Sequence, residues 1–144
     1  MKKVFQTRIS KHNGNCAQAV VASLFDLDIN DVPDFVSNHS SKPMNAEIVK
    51  FHNQRGFKAG YINRHNNLGI INKSLLEIAK SDGGVNGYFY AIVKSKTFED
   101  TLHAVVVDTE LNIVHDPNPN GNCLNLKPDD IIKILTTSIN LNYK

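Results

Sequence analysis

The sequence predicts an α+β fold: a helix-rich first half packed on a mostly antiparallel sheet from the second. Three observations carry that expectation. Apolar residues recur at helical spacing in "CAQAVVASLFDL" and "MNAEIVKFHNQRG". After residue 87 the pattern changes to aromatic and β-branched runs, "GYFYAIVKS", "LHAVVVD" and "LNIVHDP". Helices therefore come first and strands later, which is the α+β order. No repeat and no Pro/Gly/Ser linker divides the 144 residues, a length that buries a real core, so residues 1–144 read as a single domain.

The first helix should run from Cys16 to about Leu27, with Val20, Leu24 and Leu27 on one face and Val21 and Phe25 beside them. So wide an apolar arc predicts a helix buried on most sides. In "DLDINDVPDF", Asp28 or Asn30 can cap a short helical turn. A second helix is expected from about Asn45 to Arg55, closed by Gly56. "FKAGYI" reads as a strand and "NKSLLEIAKSDGG" as a short helix ending in a glycine pair. "GYFYAIVKS" has the composition of a central strand. "LHAVVVD" and "LNIVHDP" form a hairpin around Thr109 and Glu110. "PDDIIKIL" is expected as a helix with Pro128 at its first position, and "TTSINLNY" as a last strand.

Composition narrows the function. A net charge of +2, a pI near 8.5 and singly scattered basic residues give no stripe for nucleic acid. No apolar run reaches membrane-span length, and "MKKVFQTRIS" lacks the apolar core of a signal peptide. The expectation is a soluble cytoplasmic protein without nucleic-acid or membrane partners. Its two cysteines, Cys16 and Cys123, should stay unpaired in that compartment.

Cys16 follows the turn "NGN", in which Gly14 permits unusual backbone angles and Asn15 is a good N-cap. That puts the thiol in the first turn of a helix, where unpaired N–H groups and the helix dipole favour a thiolate. Position alone leaves two readings open, a nucleophile or a small buried packing residue. A nucleophile needs a base, and the hairpin offers one. With a two-residue loop at Thr109 and Glu110, His103 falls directly opposite Asp116 on one face. Such a carboxylate would orient the imidazole and fix its tautomer. In the same register His115 points to the other face, which makes it the weaker base.

The blocks "QT…GNC..A..ASL", "DVPDF", "HAVV" and "VHDPNP" resemble the papain-like cysteine peptidases, and most closely small proteins of bacteria and their phages that share those blocks. The resemblance covers Gln6 to Phe35 and His103 to Gly121, and leaves residues 40–100 without a motif. It implies a papain-like fold, with Cys16 as nucleophile, His103 as base and Asp116 as the orienting acid. It also implies that a glutamine upstream of the cysteine donates to the oxyanion. Gln6 is the only candidate, at a spacing longer than the family's, so the loop "TRISKHNGN" must bulge to return it to the site. Asn13 and Asn15 are the expected substrate contacts; for His12 and Asn13, in that same loop, a substrate contact and a solvated turn residue are both open readings.

The expected chemistry is amide hydrolysis through a thioester on a peptide, protein or small amide, without a cofactor. A glutamine deamidase or transglutaminase fits the same triad. So does a binding module of another class, which keeps the shape without turnover and sequesters a host factor. A zinc set drawn from Cys16, His103, His115, Asp116 and Cys123 has no CxxC or HxxxH spacing behind it, so no metal is expected. Neither do the acidic residues of "DLDINDVPD" match a calcium loop. His39, His52 and His65 read as surface residues.

Overall fold

The computed structural model describes residues 1–36, 44–64 and 74–138. Three α-helices occur among them: α1 (Cys16–Leu24), α2 (Met44–Gln54) and α3 (Leu75–Asp82). The strands are β1 (Gly60–Asn63), β2 (Tyr88–Lys94), β3 (Leu102–Asp108), β4 (Ile113–His115) and β5 (Lys133–Thr136). They form one sheet in the order β1-β5-β2-β3-β4, with every neighbouring pair antiparallel. The α+β architecture is thus as the sequence indicates.

α1 is buried along its length, with Ala17 to Leu24 all inaccessible. It ends three residues before the expected Leu27, because Asp26 takes a left-handed backbone (φ 55°). Leu27 N–H then donates to Ala22 O at 2.9 Å and Asp26 N–H to Ser23 O at 3.4 Å, which satisfies carbonyls at the helix end. One face of the sheet packs on α1 through Tyr90, Ile92, Ala104, Val106 and Leu135. The other face holds Phe89, Ala91, Val93, Val105, Val107 and Ile134 against Leu75, Ile78 and Ala79 of α3. α3 starts on a full capping box, Ser74 with Glu77, and closes on left-handed Gly83.

Several expected elements are corrected. "PDDIIKIL" is not a helix: a single 3-10 turn at Pro128–Asp130 leads into β5. Helix propensity loses there because β5 fills the slot between β1 and β2, burying Ile134 and Leu135 on opposite faces. Of the expected strand "TTSINLNY" (136–143), Thr136 ends β5 and residues 139–143 lie outside the described residues. Asp28 occupies the cap position of a 3-10 turn at Ile29–Asp31, but its carboxylate pairs with Lys2 and caps nothing. His52, expected at the surface, is fully buried, with Nδ1 on Ile48 O at 2.9 Å and its ring edge-on to Phe25. His39 and His65 lie outside the described residues.

The β3–β4 hairpin also departs from its expected form. Its loop has three residues, Thr109 to Leu111, closed by Asp108 N–H donating to Asn112 O at 3.0 Å. Leu111 takes the left-handed conformation (φ 63°) and is buried, an arrangement that its sequence does not advertise. A register shift follows between Val106 and Val107, so Val106 pairs with His115 and the ladder ends there.

Candidate active site

Cys16 is the first residue of α1, where its N–H is one of the donors that no helical carbonyl can reach. The turn before it is tightly packed. A Cβ on Gly14 would lie 2.8 Å from Ser10 O, so only glycine lets the loop of residues 8–14 fold this closely. Asn15 is the N-cap by position, but its side chain does not cap. Its Oδ1 accepts from Thr7 N–H (3.1 Å) and Arg8 N–H (3.0 Å), and its Nδ2 donates to Thr7 Oγ1 (2.8 Å) and Gln18 Oε1 (3.2 Å). Asn15 is therefore a buried strut that pins the N-terminal loop to α1. Gln18 extends the brace, donating to the carbonyls of Ile29 and Val32.

His103 is the second residue of β3, and its Nε2 stands 2.6 Å from Asp116 Oδ1. The two residues are not ladder partners. Asp116 lies just beyond β4, where "DPNPNGNC" turns back on itself: Asn118 N–H donates to Oδ1 and Cys123 N–H to Oδ2, each at 2.9 Å. The turn aims the carboxylate at the ring, a task that direct opposition across the hairpin was expected to perform. Asn118 also donates to Thr97 Oγ1, and Pro117 O accepts from Gln6 N–H at 2.8 Å. The same turn thereby ties the N-terminal loop to the loop after β2.

Cys16 and His103 are in direct contact, and with Nε2 held by Asp116 the thiol's partner is Nδ1. Burial alone would push the Cys16 thiol up. The hydrogen bond and charge of His103, with the N–H groups of Ala104 and Ala17, outweigh it and hold the thiol below its ordinary range. For His103 burial works downward, but the hydrogen bonds and charges of Asp116 and Cys16 bring it to about 9. Asp116 is lowered although burial opposes this, because His103 and the two main-chain N–H groups favour the carboxylate. The lowered thiol and the raised imidazole both favour a thiolate–imidazolium pair, backed by the Asp116 carboxylate.

Cys16 and His103 open onto a cleft of about 300 Å³, which Gln6, His12 and Gly14 also line. Asn13 and Asn15 are not among its lining residues. Gln6 faces the cleft with its Nε2 donating to Arg8 O at 3.0 Å, and its buried Oε1 has no partner. His115 is buried elsewhere, with Nε2 on Val4 O at 2.6 Å and Phe5 edge-on to its ring.

Both cysteines are free thiols, and the role of the second as a partner of Asp116 comes from the structure. Cys123 is buried behind Asp116, and the ligand atoms of His103, Asp116 and Cys123 fall within 4.8 Å of one another. Burial and the charge of Asp116 push its thiol up to about 11, so it is a protonated donor to the carboxylate. Donors around a zinc ion stand roughly 3.3 Å apart. The 2.6 Å contact of His103 with Asp116 is a hydrogen bond, and the cluster reads as a chain of donors to one carboxylate. The repeated "GNC" triplet was the available signal for Cys123. No protein-family model, curated protein or solved structure matches this chain.

Proposed function

We propose that this protein is a papain-like, cysteine-dependent acyl-transfer enzyme that cleaves an amide through a thioester. The observation that carries the reading is the continuous chain from Cys16 to His103 to Asp116 at the edge of a cleft. The Cys16 thiolate attacks the carbonyl carbon, and the oxyanion that forms is met by the Cys16 N–H at the helix start. Gln6, on the wall of the same cleft, is the second donor. The tetrahedral intermediate collapses, the C–N bond breaks, and the imidazolium of His103 gives its proton to the leaving amine. Water gives a proton to the now neutral His103 and attacks the thioester, releasing the acid and restoring the Cys16 thiolate beside the His103 imidazolium. Asp116 holds the ring orientation and its charge throughout. The papain-like assignment rests on the sequence blocks around Cys16, His103 and Asp116 together with this site.

The test is alkylation of the native protein with iodoacetamide from pH 5 to 10, with the adduct located by peptide mass mapping. Modification at Cys16 with a midpoint below that of a free thiol, moved upward by His103→Ala, supports the enzyme. A Cys16 that titrates like a free thiol, or is not modified at all, overturns it in favour of a binding module.

A further inference from the structure

We propose that the cleft takes an anionic substrate, whose carboxylate is held by Lys133 while its amide carbonyl meets Cys16. This rests on the acyl-transfer reading above and assigns that site a substrate class. Lys133 of β5 is paired with Ile92 of β2, and Ile92 with Ala104 of β3. Directly opposed residues share a face of the sheet, so the three form one row across it. All three line the cleft, and the Ala104 N–H at the end of the row reaches the Cys16 sulfur. Strands stand about 4.8 Å apart, which puts Lys133 roughly 10 Å across the row from Ala104, the span of about three extended residues.

Charge is what makes the row informative. The Lys133 ammonium sits over the ring of Tyr61, 4.8 Å from its centroid, on a half-buried residue. None of the ion pairs among the described residues involves it. Residues 37–43, 65–73 and 139–144 contain no aspartate or glutamate. All 14 acidic residues of the chain are therefore described, and none of them lines the cleft. Lys11 lines it from the N-terminal loop and adds a second cation. Against these stand the Cys16 thiolate, matched by the imidazolium, and Asp116 behind the ring. A partly desolvated cation on a cleft wall, in a cleft that no acidic side chain lines, is complementary to an anionic ligand.

The experiment compares two Cys16-directed reagents of similar length: 6-maleimidohexanoic acid, whose carboxylate reaches to about 10 Å from the reacting carbon, and neutral N-hexylmaleimide. The readout is the ratio of their second-order rates on the intact protein, divided by the same ratio for an uncharged cysteine peptide. We expect a normalised ratio above one, on the order of three- to tenfold, that shrinks with added salt. Lys133→Met should collapse it toward one, and Lys133→Arg should keep it, with circular dichroism showing that both variants are folded. A ratio near one in the unmodified protein, or one that survives Lys133→Met, overturns the anionic-substrate assignment while fast reaction with the neutral reagent leaves the enzyme reading standing. Neutral reagent that reacts with Cys16 no faster than with the free peptide overturns the acyl-transfer reading, and this inference with it.

Discussion

His103 Nε2 and Asp116 Oδ1 are 2.6 Å apart although the two residues are not paired across the hairpin that carries them. The contact depends on the turn after β4, and the consequences differ from those of a simple cross-strand pair. Asp116 accepts on both oxygens, from His103 and Asn118 on one and from Cys123 on the other. Asp116→Asn must point its NH2 group at one of those donors. We expect a loss of about 1–3 kcal/mol in urea-unfolding stability. His103, no longer beside a carboxylate, should fall from about 9 toward its ordinary value. NMR titration of the ring protons checks this, and an unchanged His103 titration would remove Asp116 from the proposed triad.

Turnover should follow a bell in pH whose limbs belong to different residues. The acidic limb rises as Cys16 deprotonates at its lowered pKa, and the alkaline limb falls near pH 9 as His103 loses the proton that the leaving amine needs. Alkylation needs only the thiolate, so its rate should rise on the same acidic limb and stay high above pH 9. Two alkaline limbs that coincide would contradict this division of labour.

Replacing the base should separate the two hairpin histidines. His103→Ala removes the proton donor and the charge that lowers Cys16, so amide turnover should drop by roughly 10²–10⁴-fold and the thiol midpoint should move up. His115→Ala touches neither group. It should leave the thiol midpoint in place and cost stability instead, because His115 packs in the interior against Phe5 and Val4 O. The reverse pattern in alkylation assays would mean that the triad is drawn with the wrong histidine.

Cys123 should be chemically silent in the native protein. Its thiol is buried, pushed up to about 11, and hydrogen-bonded to Asp116, so native alkylation at pH 7 should add one equivalent, at Cys16. Two equivalents by intact mass, or a mass two hydrogens lighter that reductant restores, would show that Cys123 is reachable. Cys123→Ser keeps a donor to Asp116 and should hold the Cys16 midpoint closer to its starting value than Cys123→Val does.

Asn15→Ala tests the strut at the start of α1. It strands the N–H groups of Thr7 and Arg8 and the carbonyl of Gln18, so unfolding should be easier by about 2–4 kcal/mol. Thiol reactivity should fall as well, since the loop carrying Gln6 and His12 loses its anchor. Chemical denaturation with parallel alkylation separates the two effects.

How much of this was legible in the sequence differs from element to element. The apolar arc of "CAQAVVASL" determined a buried helix with Cys16 at its start, because burial on all sides leaves its mark in nearly every residue. Alternation and β-branching determined β2 and β3 in the same way, and the Ser74–Glu77 box and Gly83 marked the ends of α3. These are local signals, written in the residues that form the element.

The tertiary structure decided the rest. "PDDIIKIL" carries helix-permitting residues, and only the vacant slot between β1 and β2 makes it a strand. Leu111 adopts a left-handed turn that propensity disfavours, since burying its side chain offsets the backbone cost. The hairpin register moved with that loop, yet His103 still meets Asp116, because three main-chain and side-chain donors in "DPNPNGNC" aim the carboxylate. Asn15 could be named as a helix cap from sequence, but which way its amide turned depended on where the chain at Thr7 and Arg8 came to rest. Residue types and their order were enough to nominate a nucleophile, a base and an acid. Their arrangement, their charges and the place of the Lys133 ammonium on the cleft wall come from contacts between segments far apart in the chain, which no local pattern encodes.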